Sequence, residues 1–146
     1  MPTIQKSVEV PYNVAEMYTL VNHIEAYKEF LPWCAESKVV SRDEACIQAS
    51  LTLRGGGFSK SFTTANRLNK NKTIEITLVN GPFRRLEGFW IFKETKKGCN
   101  VCLNLEFEFA SHLLAFALSP VFDQIAHTLI QAFSDRAKHI YGERKQ

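Results

Sequence analysis

Between Pro32 and residue 109, apolar and polar residues alternate with a period of two, the pattern of strands with one buried face. SKVVS, CIQASLTLR, SKSFTTANRL, TIEITLV, RLEGFWIFK and NVCLNLEFEF are the candidate strands. RDEA, GGG, NKNK, NGP and KKG separate them, each with turn chemistry at hairpin spacing. Six such segments form an antiparallel meander, and TIQKSVEV at residues 3–10, ended by Pro11, can add as a seventh strand. One face is apolar throughout. Ile47, Ala49, Leu51 and Leu53 share a side, as do Ile74, Ile76 and Leu78; Leu86, Trp90 and Phe92; and Leu103, Leu105, Phe107 and Phe109. The other face carries Gln48, Thr52, Glu75, Glu87, Asn104, Glu106 and Glu108, as in a sheet wetted on one side. Glu106 and Glu108 therefore read as solvated charges rather than a catalytic carboxylate pair.

Outside the meander the period is 3.6. Asn13 and Glu16 have the spacing of a capping box, with Tyr12 and Met17 placed as its hydrophobic staple. They open a helix at about 14–21, and a second short one at about 24–31 stops at Pro32. At the C-terminus, Leu114, Leu118, Val121, Phe122, Ile125, Ala126, Leu129, Ala132 and Phe133 form one stripe of a long helix. Counted from Pro120 to Tyr141, that helix is about 33 Å long, enough to cross a seven-stranded sheet. Ser119-Pro120 resembles an N-cap followed by a first-turn proline. Two arrangements follow, one helix kinked at Pro120 from about Ser111 or a short helix followed by a long one, and the kinked helix is preferred.

The order is β-αα-β6-α, an α+β fold in which a curved seven-stranded antiparallel sheet wraps around a long C-terminal helix, all within one domain over residues 1–146. A single helix cannot fill the concavity of a wide sheet. An apolar hollow should remain between them, a site for an oily ligand. Leu118, Phe122 and Ile125 would roof it, Trp90 and Phe107 would line its floor, and Leu113, Phe116 and Ala117 would stay partly exposed beside its entrance. On SKSFTTANRL, Phe62, Thr64, Asn66 and Leu68 share one side. If that side faces the hollow, Thr64 and Asn66 can hydrogen-bond a ligand carbonyl; otherwise neighbouring backbone or water satisfies them.

Composition narrows the function. At 146 residues, 45% hydrophobic and 23% charged, the chain is ordinary for a globular protein, apart from eleven phenylalanines. A net charge of +3 does not by itself argue for nucleic acid. No run of about 18 uninterrupted apolar residues suggests a membrane span, and MPTIQKSVEVP resembles neither a signal peptide nor a presequence. The expected compartment is the cytoplasm. A lid that touches lipid would add peripheral contact with the inner membrane.

The cysteines Cys34, Cys46, Cys99 and Cys102 suggest inert thiols. On a strand, Cys99 and Cys102 point to opposite faces, and no second CxxC or histidine pair completes a metal site, so no metal is expected. His23, His112, His127 and His139 fall in no catalytic motif, and no enzyme is expected. GGG at Gly55 to Gly57 reads as a hairpin needing positive φ, or as a bend, rather than a phosphate loop. Arg84 and Arg85 follow the Gly-Pro turn. Lys93, Lys96 and Lys97, and then Arg136, Lys138, Arg144 and Lys145, form further basic groups. These would serve a phosphate-rich partner, RNA or an anionic membrane, or else are scattered solvated charge.

YKEFLPWC (Tyr27 to Cys34), FSKSFTT (Phe58 to Thr64) and LVNGPFRRLEGFWIF (Leu78 to Phe92) are similar to the coenzyme Q-binding START family, within the polyketide cyclase/START-like superfamily. The resemblance runs over about residues 1–142. It implies a helix-grip fold that binds an isoprenoid quinone such as ubiquinone, or another lipid, with no established catalysis and no cofactor beyond the bound lipid. Members include a mitochondrial ubiquinone chaperone and bacterial ribosome association toxins. For the bacterial branch the resemblance implies docking on the large ribosomal subunit, which blocks subunit joining and so inhibits translation. It places Trp33 by the pocket mouth, as gate or core residue. Oligomeric state and any antitoxin partner are not implied. Phe89 and Ile91 depart from a fully wet outer face.

Overall fold

The computed structural model describes residues 3–55 and 57–144. Strand β1 (Thr3–Val10) leads to helix α1 (Val14–Asn22). A 3-10 turn (Ile24–Ala26) and the one-turn helix α2 (Tyr27–Phe30) follow. Six strands come next, β2 (Cys34–Arg42), β3 (Cys46–Gly55), β4 (Phe58–Asn69), β5 (Thr73–Asn80), β6 (Phe83–Glu94) and β7 (Cys99–Phe109), then helix α3 (His112–Tyr141). They form one seven-stranded sheet in the order β1-β7-β6-β5-β4-β3-β2, antiparallel at every pairing. The β-αα-β6-α reading holds.

The expected boundaries were short chiefly at β2 and β6, the latter starting at Phe83 rather than Arg85. β2 begins at Cys34, ahead of the alternating SKVVS, because pairing with Leu53 recruits residues whose own pattern is irregular. Register shifts fall between Cys34 and Glu36, Val39 and Ser41, Thr63 and Thr64, and Phe83 and Arg85. Each extra residue bends its strand and increases the local twist, so the sheet curls. Gly57 takes φ +83° in the β3–β4 hairpin, and a Cβ on Gly55 would meet Val121 Cγ2 at 2.7 Å. The glycine run thus turns the chain and lets it pass under α3, while Gly56 lies outside the described residues.

The capping box forms as read. Asn13 Oδ1 accepts from Glu16 N at 2.8 Å, and Glu16 Oε1 accepts from Asn13 N at 3.0 Å, while Tyr12 and Met17 are both buried. Ser111 caps α3 by accepting from Leu114 N at 3.1 Å.

α3 then runs unbroken through Pro120, one helix rather than two. Pro120 has no N–H for the Phe116 carbonyl. Ser119 is no N-cap: its hydroxyl donates back to the Ala115 carbonyl, four residues earlier. By length and composition alone α3 is long and apolar enough to cross a bilayer. Its apolar stripe instead packs into the sheet: Leu118, Val121, Phe122, Ile125, Leu129, Phe133 and Ala137 are all buried. The far end of α3 is tied to α1, because Tyr141 Oη donates to the Glu16 carbonyl at 2.8 Å. Arg144 also grips the Glu16 carboxylate at 2.6 and 2.7 Å.

Candidate functional site

The hollow exists, but it is small. A cavity of about 120 Å³ lies between the concave face and α3. Side chains from β3 (Ala49, Leu51, Leu53), β4 (Phe62, Thr64, Asn66), β6 (Leu86, Trp90) and β7 (Leu103, Leu105) form its floor. Phe122, Ile125, Leu129 and Phe133 of α3 form the roof, and Tyr27 and Trp33 close one end. Ligand pockets start at about 300 Å³, so large aromatic residues occupy much of the available concavity.

Seven of the nine anticipated ligand residues meet here: Trp33, Phe62, Thr64, Asn66, Trp90, Phe122 and Ile125. Phe107 and Leu118 do not line the cavity. They are buried in solid core, where the Phe107 ring lies tilted against Phe122, 4.6 Å between ring centres. Facing the concave side is a property of strand and helix phase, whereas reaching the void depends on which neighbouring rings fill it. Phe83 does that filling: it sits 5.5 Å from Phe62, 5.4 Å from Phe109 and 5.6 Å from Phe122, and its place in the sequence, just after a Gly-Pro turn, gives no sign of it.

The polar side of β4 is resolved. Thr64 and Asn66 are both buried and face the cavity, and Thr64 Oγ1 donates to Asn66 Oδ1 at 2.9 Å. Trp33 is core and lining at once, 4% exposed, and its Nε1 has no hydrogen-bond partner among the described residues. Tyr27 donates its hydroxyl to the Val21 carbonyl, and burial pushes its pKa well above the usual tyrosine range. Among the described residues no acid, histidine, lysine or arginine lines the void.

On the first turns of α3, Leu113 and Phe116 are 76% and 84% exposed, as their phase required. Arg84 and Arg85 are exposed but not unengaged. Arg84 reaches Glu108 at 3.4 Å, and Arg85 pairs with Glu87 along its own strand. Cross-strand pairing of β6 with β7 creates the first contact, which a one-dimensional reading of the basic run cannot show. Lys93, Lys96 and Lys97 make no ion pair among the described residues, while Lys145 lies outside them. Phe89 is 40% exposed on the outer face, so that face is not wholly polar. Cys99 is buried and Cys102 half-buried on opposite sides of β7, so the two sulfurs do not converge on one ion.

A curved antiparallel sheet gripping one long helix over an apolar cavity defines a START-like helix-grip protein. A crystal structure from Thermus thermophilus has the same architecture, with a TM-score of 0.82 and 18% identity over 95% of this chain and 99% of that one. The chain belongs to the family described as polyketide cyclase / dehydrase and lipid transport, whose model matches residues 10–134. Among its relatives, the ribosome association toxin RatA of Pseudomonas aeruginosa is 43% identical over 140 residues, covering 95% of this chain and 97% of that protein. The mitochondrial coenzyme Q-binding protein COQ10 of Dictyostelium discoideum is 29% identical over 145 residues, covering 96% of this chain and 71% of that one.

Proposed function

We propose that this protein binds a polyprenyl quinone of the ubiquinone type between sheet and helix, and carries it as a chaperone in support of respiration. The observation that carries this reading is the cavity itself, lined mostly by apolar side chains, with Thr64 and Asn66 the polar residues of its floor. The name of the coenzyme Q-binding relative agrees with it. At about 120 Å³ the void takes a small head group, not a long tail. The tail would leave beside Leu113 and Phe116, whose exposed side chains suit an apolar chain or a lipid surface. In this reading the protein is a carrier rather than an enzyme, in keeping with the names of its coenzyme Q-binding and ribosome-associating relatives.

Mass spectrometry of organic extracts from protein purified in its own host tests this. A quinone at near-stoichiometric yield is expected. Ala49→Phe, which pushes a ring into the void, should abolish it. Recovery of no lipid, or equal recovery from Ala49→Phe, would count against the carrier reading.

The name of the 43% identical relative favours a second reading, in which the protein docks on the large ribosomal subunit and blocks subunit association. Lysines around the β6–β7 turn would meet phosphates there. Co-sedimentation with large subunits across a salt series tests it. Absence of binding at low salt leaves the carrier reading alone.

A further inference from the structure

Helix α3 carries apolar side chains where the core does not reach. Its first buried residue is Leu118, so the turns before it give no buried side chain to the packing of helix on sheet. Those turns nonetheless hold Leu113 and Phe116, three residues apart on one side of the helix and mostly in water. Residues 111–120, SHLLAFALSP, include no Asp, Glu, Lys or Arg.

Two other segments lie at the same end of the sheet. The Ala110 amide donates to the Pro82 carbonyl at 3.0 Å, which sets the β5–β6 turn against the start of α3. A Cβ on Gly55 would stand 2.7 Å from Val121 Cγ2, which sets the β3–β4 hairpin against the helix just past Leu118. That hairpin exposes a further ring, Phe58. Residues 54–60 and 79–85 supply the cations Arg54, Lys60, Arg84 and Arg85, and no acid. Arg84 and Arg85 pair with glutamates of β7 and β6, whereas Arg54 and Lys60 form no ion pair among the described residues. Exposed apolar surface without charge therefore lies beside cations that the fold leaves unneutralised.

We infer that this end of the molecule is a docking surface for an anionic bilayer, with Leu113 and Phe116 entering the boundary between headgroups and acyl chains and Arg54 and Lys60 meeting lipid phosphates. The inference rests on the carrier reading above and deepens it, by naming the surface through which lipid is collected and delivered. Charge-free helical turns need an apolar medium, and the cations beside them need anions at the surface of that medium. An anionic bilayer supplies both within one interface. Duplex RNA supplies phosphates but nothing apolar for Leu113. Two inserted side chains and a few cations give weak, reversible attachment, which lets a carrier leave again.

Flotation of the purified full-length protein with vesicles tests this, comparing phosphatidylcholine mixed with phosphatidylglycerol against phosphatidylcholine alone. The protein should float with the anionic vesicles, less with the neutral ones, and less at high salt. Leu113→Asp/Phe116→Asp should lower binding at least tenfold without changing Tm, because neither side chain is buried. Arg54→Gln and Lys60→Gln should each weaken partition into anionic vesicles about fivefold and leave neutral vesicles unaffected. In Phe116→Trp, the added indole emission should shift to the blue on anionic vesicles, a readout that needs no destabilising change. Flotation unaffected by the aspartates, an indole emission unmoved by vesicles, or no flotation at all overturns the inference. So does a dimer in light scattering that the aspartates abolish, since the patch then belongs to a second copy. Ala49→Phe, with its cavity filled, should still float. Docking without any quinone recovered from the host defeats the carrier reading alone, whereas quinone recovered from a protein that never floats defeats the docking surface alone.

Discussion

Phe122→Ala is the sharpest test of how the helix is held. Phe122 is 5% exposed, and its ring lies 5.6, 4.6 and 5.3 Å from the rings of Phe83, Phe107 and Phe109. Truncating a buried Phe to Ala costs about 3–5 kcal/mol, from lost transfer energy and the cavity left behind. Edge-to-face partners add roughly 0.5–1.5 kcal/mol each within that range. Because Phe122 already borders a void of about 120 Å³, not every side of its ring is packed. We therefore expect the low end, about 3 kcal/mol. For a chain of this size that lowers Tm by roughly 6–12 °C. Thermal and urea unfolding should agree, with a lower urea midpoint and an unchanged m-value. Phe122→Asp should be worse, since its carboxylate would face an apolar lining without a partner. A Tm within about 2 °C of wild type for the alanine variant would refute the packing argument.

Other positions carry their own expectations. A Cβ on Gly88 would stand 2.1 Å from the Asn104 carbonyl oxygen and 2.8 Å from Leu105 Cα, so Gly88→Ala should force β6 from β7 and cost several kcal/mol, on the order of other overpacked sites; unchanged urea unfolding would contradict it. Burial pushes the Cys99 thiol up to about 11 from its ordinary 9.0. The folded state thus keeps a proton that the unfolded chain has already lost, and this contribution to stability is full below about pH 9 and lost as pH rises towards 11. Cys99→Ser should remove that component of the alkaline decline, and iodoacetamide at pH 8 should label Cys46 and Cys102 before Cys99. Arg84→Glu/Arg85→Glu exchanges only exposed pairs, so it should fold normally and retain any bound quinone, as a circular dichroism melt and lipid extraction would show. If large subunits bind, reversing Lys93, Lys96 and Lys97 should flatten the salt dependence more than the arginine pair does.

Local chemistry determined most of the architecture in advance. Period-two alternation from CIQASLTLR to NVCLNLEFEF, with glycine- and asparagine-rich turns between, specifies hairpins because neighbours along the chain make the pairs. Asn13 with Glu16, and the α3 stripe, are likewise legible because capping and helix phase involve residues three or four apart. The apolar phase of β4 even placed Thr64 and Asn66 on the side that proved concave. Tertiary packing alone decided how much of the hollow survives. Phe83 and Phe107 fill space that a one-dimensional pattern leaves open, so Phe107 and Leu118 became core rather than lining. The same holds for the acid that meets Arg84 across β7 and for the strand start at Cys34, which depend on register between segments. The unpaired Trp33 indole is the clearest case. A tryptophan after Pro32 says nothing about acceptors, and whether its N–H finds one depends on groups brought to it from β3, β4 and α3 by the curl of the sheet.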